Sequence, residues 1–255
     1  SGPSITAPGG HPASMFRFVP GLAEIMTRQI SSADEAKEVI GELAGYQVDL
    51  VKLVLEEGAY SQNVPRLSEA AFREAVKTAK ALGLPTTSHV DSDKNARLAI
   101  DAGIDGLQHI PPDLSEGTIR LLAEKGITIT PTLAVFDGYR IASAGADITD
   151  SLALHWTDPE VVASLHSPGS WLAQMRKNAG FATGMQQVFE NGMAATRRAI
   201  RGGVEIIAGS DAGNPATFHG PGLIRELELP VEDGIESEQE LSDASSRRAE
   251  RLGRG

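Results

Sequence analysis

The chain has 255 residues, 41% apolar and 5% aromatic, with a formal net charge of −11 and no cysteine. The acidic balance argues against a nucleic-acid partner, because no basic surface is available to offset phosphate repulsion. The lack of cysteine excludes disulfides, thiolate metal sites and thiol nucleophiles. No apolar run approaches the ~20 residues of a membrane helix, so no membrane partner is expected and cytoplasmic localisation is the default.

In chain order, Ser1 to Pro20 is rich in Gly, Pro and Ser and reads as loop, with Gly9-Gly10-His11-Pro12 as its densest turn signal. The first methionine is Met15, so a processed start or a segment of a longer protein is expected. Ser32-Ala33-Asp34-Glu35 opens a helix to about Ala44, with Ala36, Val39, Ile40 and Leu43 at helical spacing. The run Val48-Asp49-Leu50-Val51-Lys52 follows as a strand ending in lysine. Ser68 caps a helix through Ala81, closed by Gly83 before the strand Leu84 to His89. A helix from Lys94 to Ala102, stopped by Gly103, leads into the strand Ile104 to His109. Ser115 to Lys125 is a further helix, stopped by Gly126 before Ile127-Thr128-Ile129-Thr130-Pro131. A long excursion from Ala134 to Glu190 carries helical pieces and reads as an insertion or lid over the strand tips. Helix Gly192 to Arg201 then feeds an apolar run that ends in Asp211-Ala212-Gly213, and Leu223 to Val231 reads as a last helix. The charged stretch Glu236 to Gly255 is expected to be a C-terminal helix or tail.

This alternation of strands and helices with short joints is the pattern of a parallel α/β architecture. In a β/α barrel all strand tips converge on the C-terminal face, where sites are built. Lys52, His89, His109 and Asp211 each end an apolar run at the same relative place in its βα unit. Singly, such residues are more often satisfied polar side chains, a paired lysine or a turn aspartate. Together they describe a site. Imidazole and carboxylate ligands suit Zn²⁺ and similar divalent ions, which polarise a carbonyl and acidify water. A buried lysine that loses its proton can add carbon dioxide and become a bridging anion.

The order lysine, histidine, histidine, aspartate resembles the metal-dependent amidohydrolase superfamily, nearest its imidazolonepropionase-like and prolidase-like subgroup. Supporting stretches are Thr6-Ala7-Pro8-Gly9-Gly10-His11-Pro12, Val48 to Lys52, Ala102 to His109, Ala208-Gly209-Ser210-Asp211-Ala212-Gly213-Asn214, and His219-Gly220 with Arg225-Glu226-Leu227-Glu228-Leu229. The resemblance implies a partial (β/α)8 barrel holding strands four to eight, in one catalytic region over residues 1–255. It places Lys52 at the carboxylated bridging lysine, and His89 and His109 as ligands of the second metal. Asp211 falls at the first-metal aspartate that shuttles the proton of the attacking hydroxide. His11, Tyr139 and His219 fall near the substrate, and His155 and His166 read as solvated. The reaction implied is hydrolysis of an amide, peptide or cyclic C–N bond in a small-molecule or dipeptide-like substrate. One or two divalent ions, Zn²⁺ first among them, would serve it, and a homo-oligomer is compatible with it.

The chain departs from the family in one respect that matters chemically: it contains no His-x-His, the pair that supplies two ligands to the first metal. An internal fragment with a weakened first site and impaired activity is therefore expected. The alternative is a non-catalytic remnant or a half-barrel that depends on a partner. A metal-free, phosphate-binding barrel enzyme lacks support, since no Gly-rich phosphate loop precedes a helix.

Overall fold

Short runs rich in Val, Leu, Ile and Thr form a parallel sheet of strands β1 (Ser4–Thr6), β2 (Thr27–Gln29), β3 (Val51–Leu55), β4 (Thr86–Val90), β5 (Gly106–Gln108) and β6 (Thr128–Thr130), in the order β2-β1-β3-β4-β5-β6. The computed structural model describes residues 2–16, 19–58, 63–145, 155–170, 173–174, 176–177 and 179–232. They fall into two compact units, within Ser1–Ile129 and Arg201–Glu205 for the first and Thr130–Ile200 and Ile206–Gly255 for the second.

In the first unit α1 (Ala13–Phe16) and α2 (Leu22–Met26) follow β1, and α3 (Ala33–Gly45), α4 (Glu69–Ala81), α5 (Asp93–Ala102) and α6 (Glu116–Lys125) alternate with the later strands. The serines that the sequence marks as helix starts do cap, Ser32, Ser68 and Ser115 accepting the backbone N–H of Glu35, Ala71 and Thr118, and Ser92, not marked there, accepts that of Asn95. Gly103 and Gly126 end α5 and α6 at φ 87° and 62°, a left-handed turn that glycine makes without a Cβ clash. The strands bury Ile5, Leu53, Leu55 and Leu107 completely, and Phe72 of α4 is fully buried as well. Strand, helix and parallel strand in succession make the α/β repeat of a partial (β/α)8 barrel.

Register fixes the site. Val54 pairs with His89 and Leu55 with Val90, so Glu56 and Asp91 are matched as the first residues beyond β3 and β4. Lys52 pairs with Thr87, near the start of β3. The expected strand ended at Lys52, but the run continues through Leu53, Val54 and Leu55 because all three are buried. Glu56, and not Lys52, stands at its tip.

The Gly- and Pro-rich start, expected as loop, contains β1 and α1. Ser4-Ile5-Thr6 is too short for an alternation to stand out beside the glycines, yet Ile5 is fully buried against Leu53, its partner in β3. β2, between α2 and α3, carries no apolar side chain and was not expected either.

The second unit holds α7 (Leu133–Ser143), α8 (Pro159–His166), α9 (Ala179–Arg201) and α10 (Pro221–Glu232). Among the described residues of the expected excursion lie α7, α8, the start of α9 and turns. α9 starts well before Gly192, because the buried stripe of Met185, Gly192, Ala195 and Ala199 keeps helical spacing through the glycine. The run before Asp211 is not a ladder strand. Ile129 donates its N–H to Glu205 O at 3.0 Å, but two residues on is Pro131, which has no N–H for the next rung. Among the described residues no helix is long and apolar enough to cross a membrane. The charged stretch from Glu236 lies outside the described residues.

Candidate metal centre

Three strand tips of the first unit converge. After β1 the chain turns tightly, Gly10 N–H donating to Ala7 O at 2.9 Å and Gly9 N–H to Gln29 Oε1 at 2.8 Å. A Cβ on Gly10 would stand 2.5 Å from Pro65 O and 2.7 Å from Thr6 Oγ1, so only glycine allows this approach. The turn delivers His11. Its Nδ1 lies 3.1 Å from Glu56 Oε2, and His89 Nε2 lies 3.0 Å from the same oxygen. The ligand atoms of His11, Glu56 and His89 all fall within 4.8 Å of one another.

The polar bookkeeping of this cluster is incomplete. Glu56 Oε2 and His89 Nε2 are both buried, and neither makes a hydrogen bond despite their closeness. Nearly all buried polar atoms find a partner, so two facing orphans need an explanation. Burial raises the Glu56 carboxyl above its usual range, against the pull of His11. Burial also holds His89 well below the ordinary imidazole value, aided by His11 and Lys52, and lowers His11 in the same way. Imidazoles that resist protonation keep a lone pair for a cation. Donors 2.0–2.1 Å from a tetrahedral ion are about 3.4 Å apart, close to the separations found here. Two imidazoles and a carboxylate match a three-ligand divalent site, so these residues could hold a metal ion.

Lys52 is half-buried on the same face of the sheet as Glu56, four residues earlier in the strand direction. Its charge is felt by both His11 and His89. His109 follows β5 and packs edge-on to the His89 ring, with centroids 4.3 Å apart. Its φ of 67° is in the left-handed region, a strain that non-glycine residues retain mostly at functional positions.

In the second unit Asp211 is exposed and has φ 50°, also left-handed. Asn214 Nδ2 donates to Asp211 Oδ2 at 2.9 Å, and Tyr139 OH donates to Asn214 Oδ1, also at 2.9 Å. Burial, and then Asp211, push the Tyr139 hydroxyl up, so it stays a donor. Gly138 lets the backbone of Ala216 approach closely, since a Cβ there would stand 2.9 Å from Ala216 O. His219 is exposed beside Gly213. His155 and His166 are exposed too.

Glu56 was missed in the sequence although its signal was present. Leu55-Glu56-Glu57-Gly58 is an apolar run ending in an acid and then glycine, the same pattern that marked Asp211. Ending the strand at Lys52 hid it.

A sequence model of the amidohydrolase family matches residues 2–252. Uncharacterised proteins of Mycobacterium tuberculosis and Mycobacterium bovis are 25% identical over 214 residues, covering 83% of this chain and 49% of theirs. The chain therefore spans about half the length of the curated relatives it matches. Among solved structures, a Xaa-Pro dipeptidase with methionine in its active site is 19% identical with a TM-score of 0.68, over 98% of this chain and 56% of that one. The ochratoxinase of A. niger is 19% identical with a TM-score of 0.67, over 92% and 50%. A prolidase-like protein of Bifidobacterium longum, at 18% identity, gives a TM-score of 0.66, over 100% and 54%. These likenesses concern the fold.

Proposed function

Because the chain belongs to the amidohydrolase family, we propose that it carries the metal-binding half of a hydrolase that cleaves an amide or peptide bond in a dipeptide-like small molecule. The observation that carries this reading is the convergence of His11, Glu56 and His89 with two buried, unbonded donor atoms. A divalent ion, Zn²⁺ by ligand type, would polarise the scissile carbonyl and acidify a water when bound there. His11, Glu56 and His89 would hold it. His109 steadies the His89 ring through their edge contact.

Lys52 belongs to the same reading. An ammonium whose charge already disfavours protonated His11 and His89 also disfavours a bound cation. N-carboxylation, which the family resemblance implies for this lysine, would reverse that sign. The resemblance gives the proton of the reaction to Asp211, whose carboxylate is oriented by Asn214. Tyr139 and His219 are assigned to substrate on the same ground. Structurally similar proteins include a Xaa-Pro dipeptidase, which favours dipeptide-like substrates.

A second reading is a non-catalytic or partner-dependent chain, favoured by the absence of any His-x-His among its six histidines. One experiment separates the two. The chain is reconstituted with Zn²⁺ and bicarbonate, desalted, analysed for metal and assayed on Xaa-Pro dipeptides and N-acyl amino acids. About one retained equivalent, lost in Glu56→Gln and His89→Ala, together with turnover, supports the hydrolase. Retention without turnover supports the second reading, and no retention by folded protein removes the metal centre.

A further inference from the structure

Two carboxylates stand at matched positions beyond β3 and β4, and they are treated oppositely. Glu56 Oε2 is buried without a hydrogen bond. Asp91, 5% exposed, is fully engaged. Its Oδ2 accepts the backbone N–H of Glu57 at 2.9 Å, and its Oδ1 accepts Asn95 Nδ2 at 2.7 Å and Ser92 Oγ at 3.0 Å. Asn95 is itself fully buried, and its Oδ1 accepts Arg66 Nη1 at 2.6 Å. Arg66 Nε then reaches Glu57 Oε1 at 3.2 Å, closing a ring of contacts around the Glu56-Glu57 peptide.

We infer that Asp91 is a positioning residue for Glu56. It grips the peptide directly after that ligand, and α5 in turn grips Asp91. Both oxygens of Asp91 are spent on the chain, so it is placed to orient a ligand and not to be one. Outer partners of this kind hold ligands in coordinating geometry, and their loss weakens metal affinity by about 10–100-fold.

The inference rests on the metal reading above, and its test keeps the two apart. Co²⁺ is titrated into the full chain, reading its visible absorption band and affinity. Thermal midpoints of the metal-free proteins are measured in parallel. Wild type should bind Co²⁺ and Glu56→Gln should not; a wild type that binds none overturns the metal reading and this inference with it. In Asp91→Asn one amide face must oppose either Glu57 N–H or Asn95 Nδ2. Binding by the folded protein should weaken about 10–100-fold with a changed band, while the metal-free midpoint falls by no more than the loss of one buried hydrogen bond. Adding Asn95→Asp restores the pairing, since the amide introduced at position 91 would give its N–H to the new carboxylate at position 95 and take that of Glu57. The double variant should recover the wild-type band and affinity. Wild-type binding in Asp91→Asn, or no recovery in the double variant, overturns the positioning role while leaving the metal reading intact. Should Asp91→Asn not fold, Asn95→Ala removes one restraint on Asp91. A several-fold loss then supports the inference and unchanged affinity overturns it.

Discussion

Two buried acids of the second unit and Glu56 of the first are handled in contrasting ways. In the second unit Asp137 is 2% exposed at its side chain and paired with Arg140 and Arg225, the latter at 2.8 Å. Glu226, also buried, accepts the Ala134 N–H at 2.7 Å and takes further backbone bonds from Leu133 and Thr132 at the start of α7. In the first unit Glu56 is buried too, but its Oε2 faces two imidazoles and bonds to neither. The satisfied acids tie helices together. The unsatisfied one costs stability, and a cost of that kind persists where it serves a ligand.

The contrast is sharpest when each acid is removed. Glu56→Gln should abolish metal retention, the largest effect expected, while leaving the metal-free protein equally stable or about 1 kcal/mol more stable. Elemental analysis and urea titration read the two halves of that statement, and a destabilised Glu56→Gln protein would break the comparison. Asp137→Ala should do the reverse. Arg140 and Arg225 lose their pairing with Asp137, so stability should fall by about 3 kcal/mol, toward the lower end for a broken buried pair because the arginines are partly exposed and Arg225 keeps Glu228. Co²⁺ affinity of the folded fraction should not change.

That division between fold and site mirrors what could be read from the sequence. Capping serines, C-terminal glycines and apolar spacing are local signals, and they placed α3 to α6 within a residue or two. β1 escaped because Ile5 shows its importance only when Leu53 is beside it. His11 and Glu56 are 45 positions apart in sequence, and neither declares the other. Their meeting depends on the register of β1 on β3 and on the close approach of Gly10 to Pro65. His89 and His109 were legible because one lies next to the end of β4 and the other directly after β5, whereas Glu56 was hidden behind a lysine that looked like an ending.

Glu226 gives an effect spread over pH, with a defined sign. Burial raises its carboxyl to about 8 from a reference of 4.5, against three helical N–H donors that pull it down. Below pH 4.5 both the folded and unfolded chains hold this proton, and its contribution to stability is complete. Between 4.5 and about 8 the unfolded chain releases it first, so stability falls as pH rises. The slope is at most about 1.4 kcal/mol per pH unit, and it levels off once the folded form ionises. Subtracting the Glu226→Gln profile from wild type in urea titrations at pH 5 to 9 should isolate this fall. A flat difference would mean that the N–H donors of α7 win over burial, and that Glu226 is an ionised cap.

The smallest expected effect concerns backbone strain, where the two units are alike. His109 and Asp211 have φ of 67° and 50°, angles that oppose a Cβ to the following carbonyl at about 1–2 kcal/mol. Comparing Ala with Gly at one position removes the side chain in both and leaves only this term. His109→Gly should therefore be about 1 kcal/mol more stable than His109→Ala, and the same order should hold at Asp211. At Gln108, within β5, the order should invert, because glycine there only adds unfolded-state freedom. Equal stabilities of the Ala and Gly variants at residue 109 would show that the turn relaxes once the imidazole is gone. The strain would then be imposed by the contact between His109 and His89, and not stored by the turn between β5 and α6.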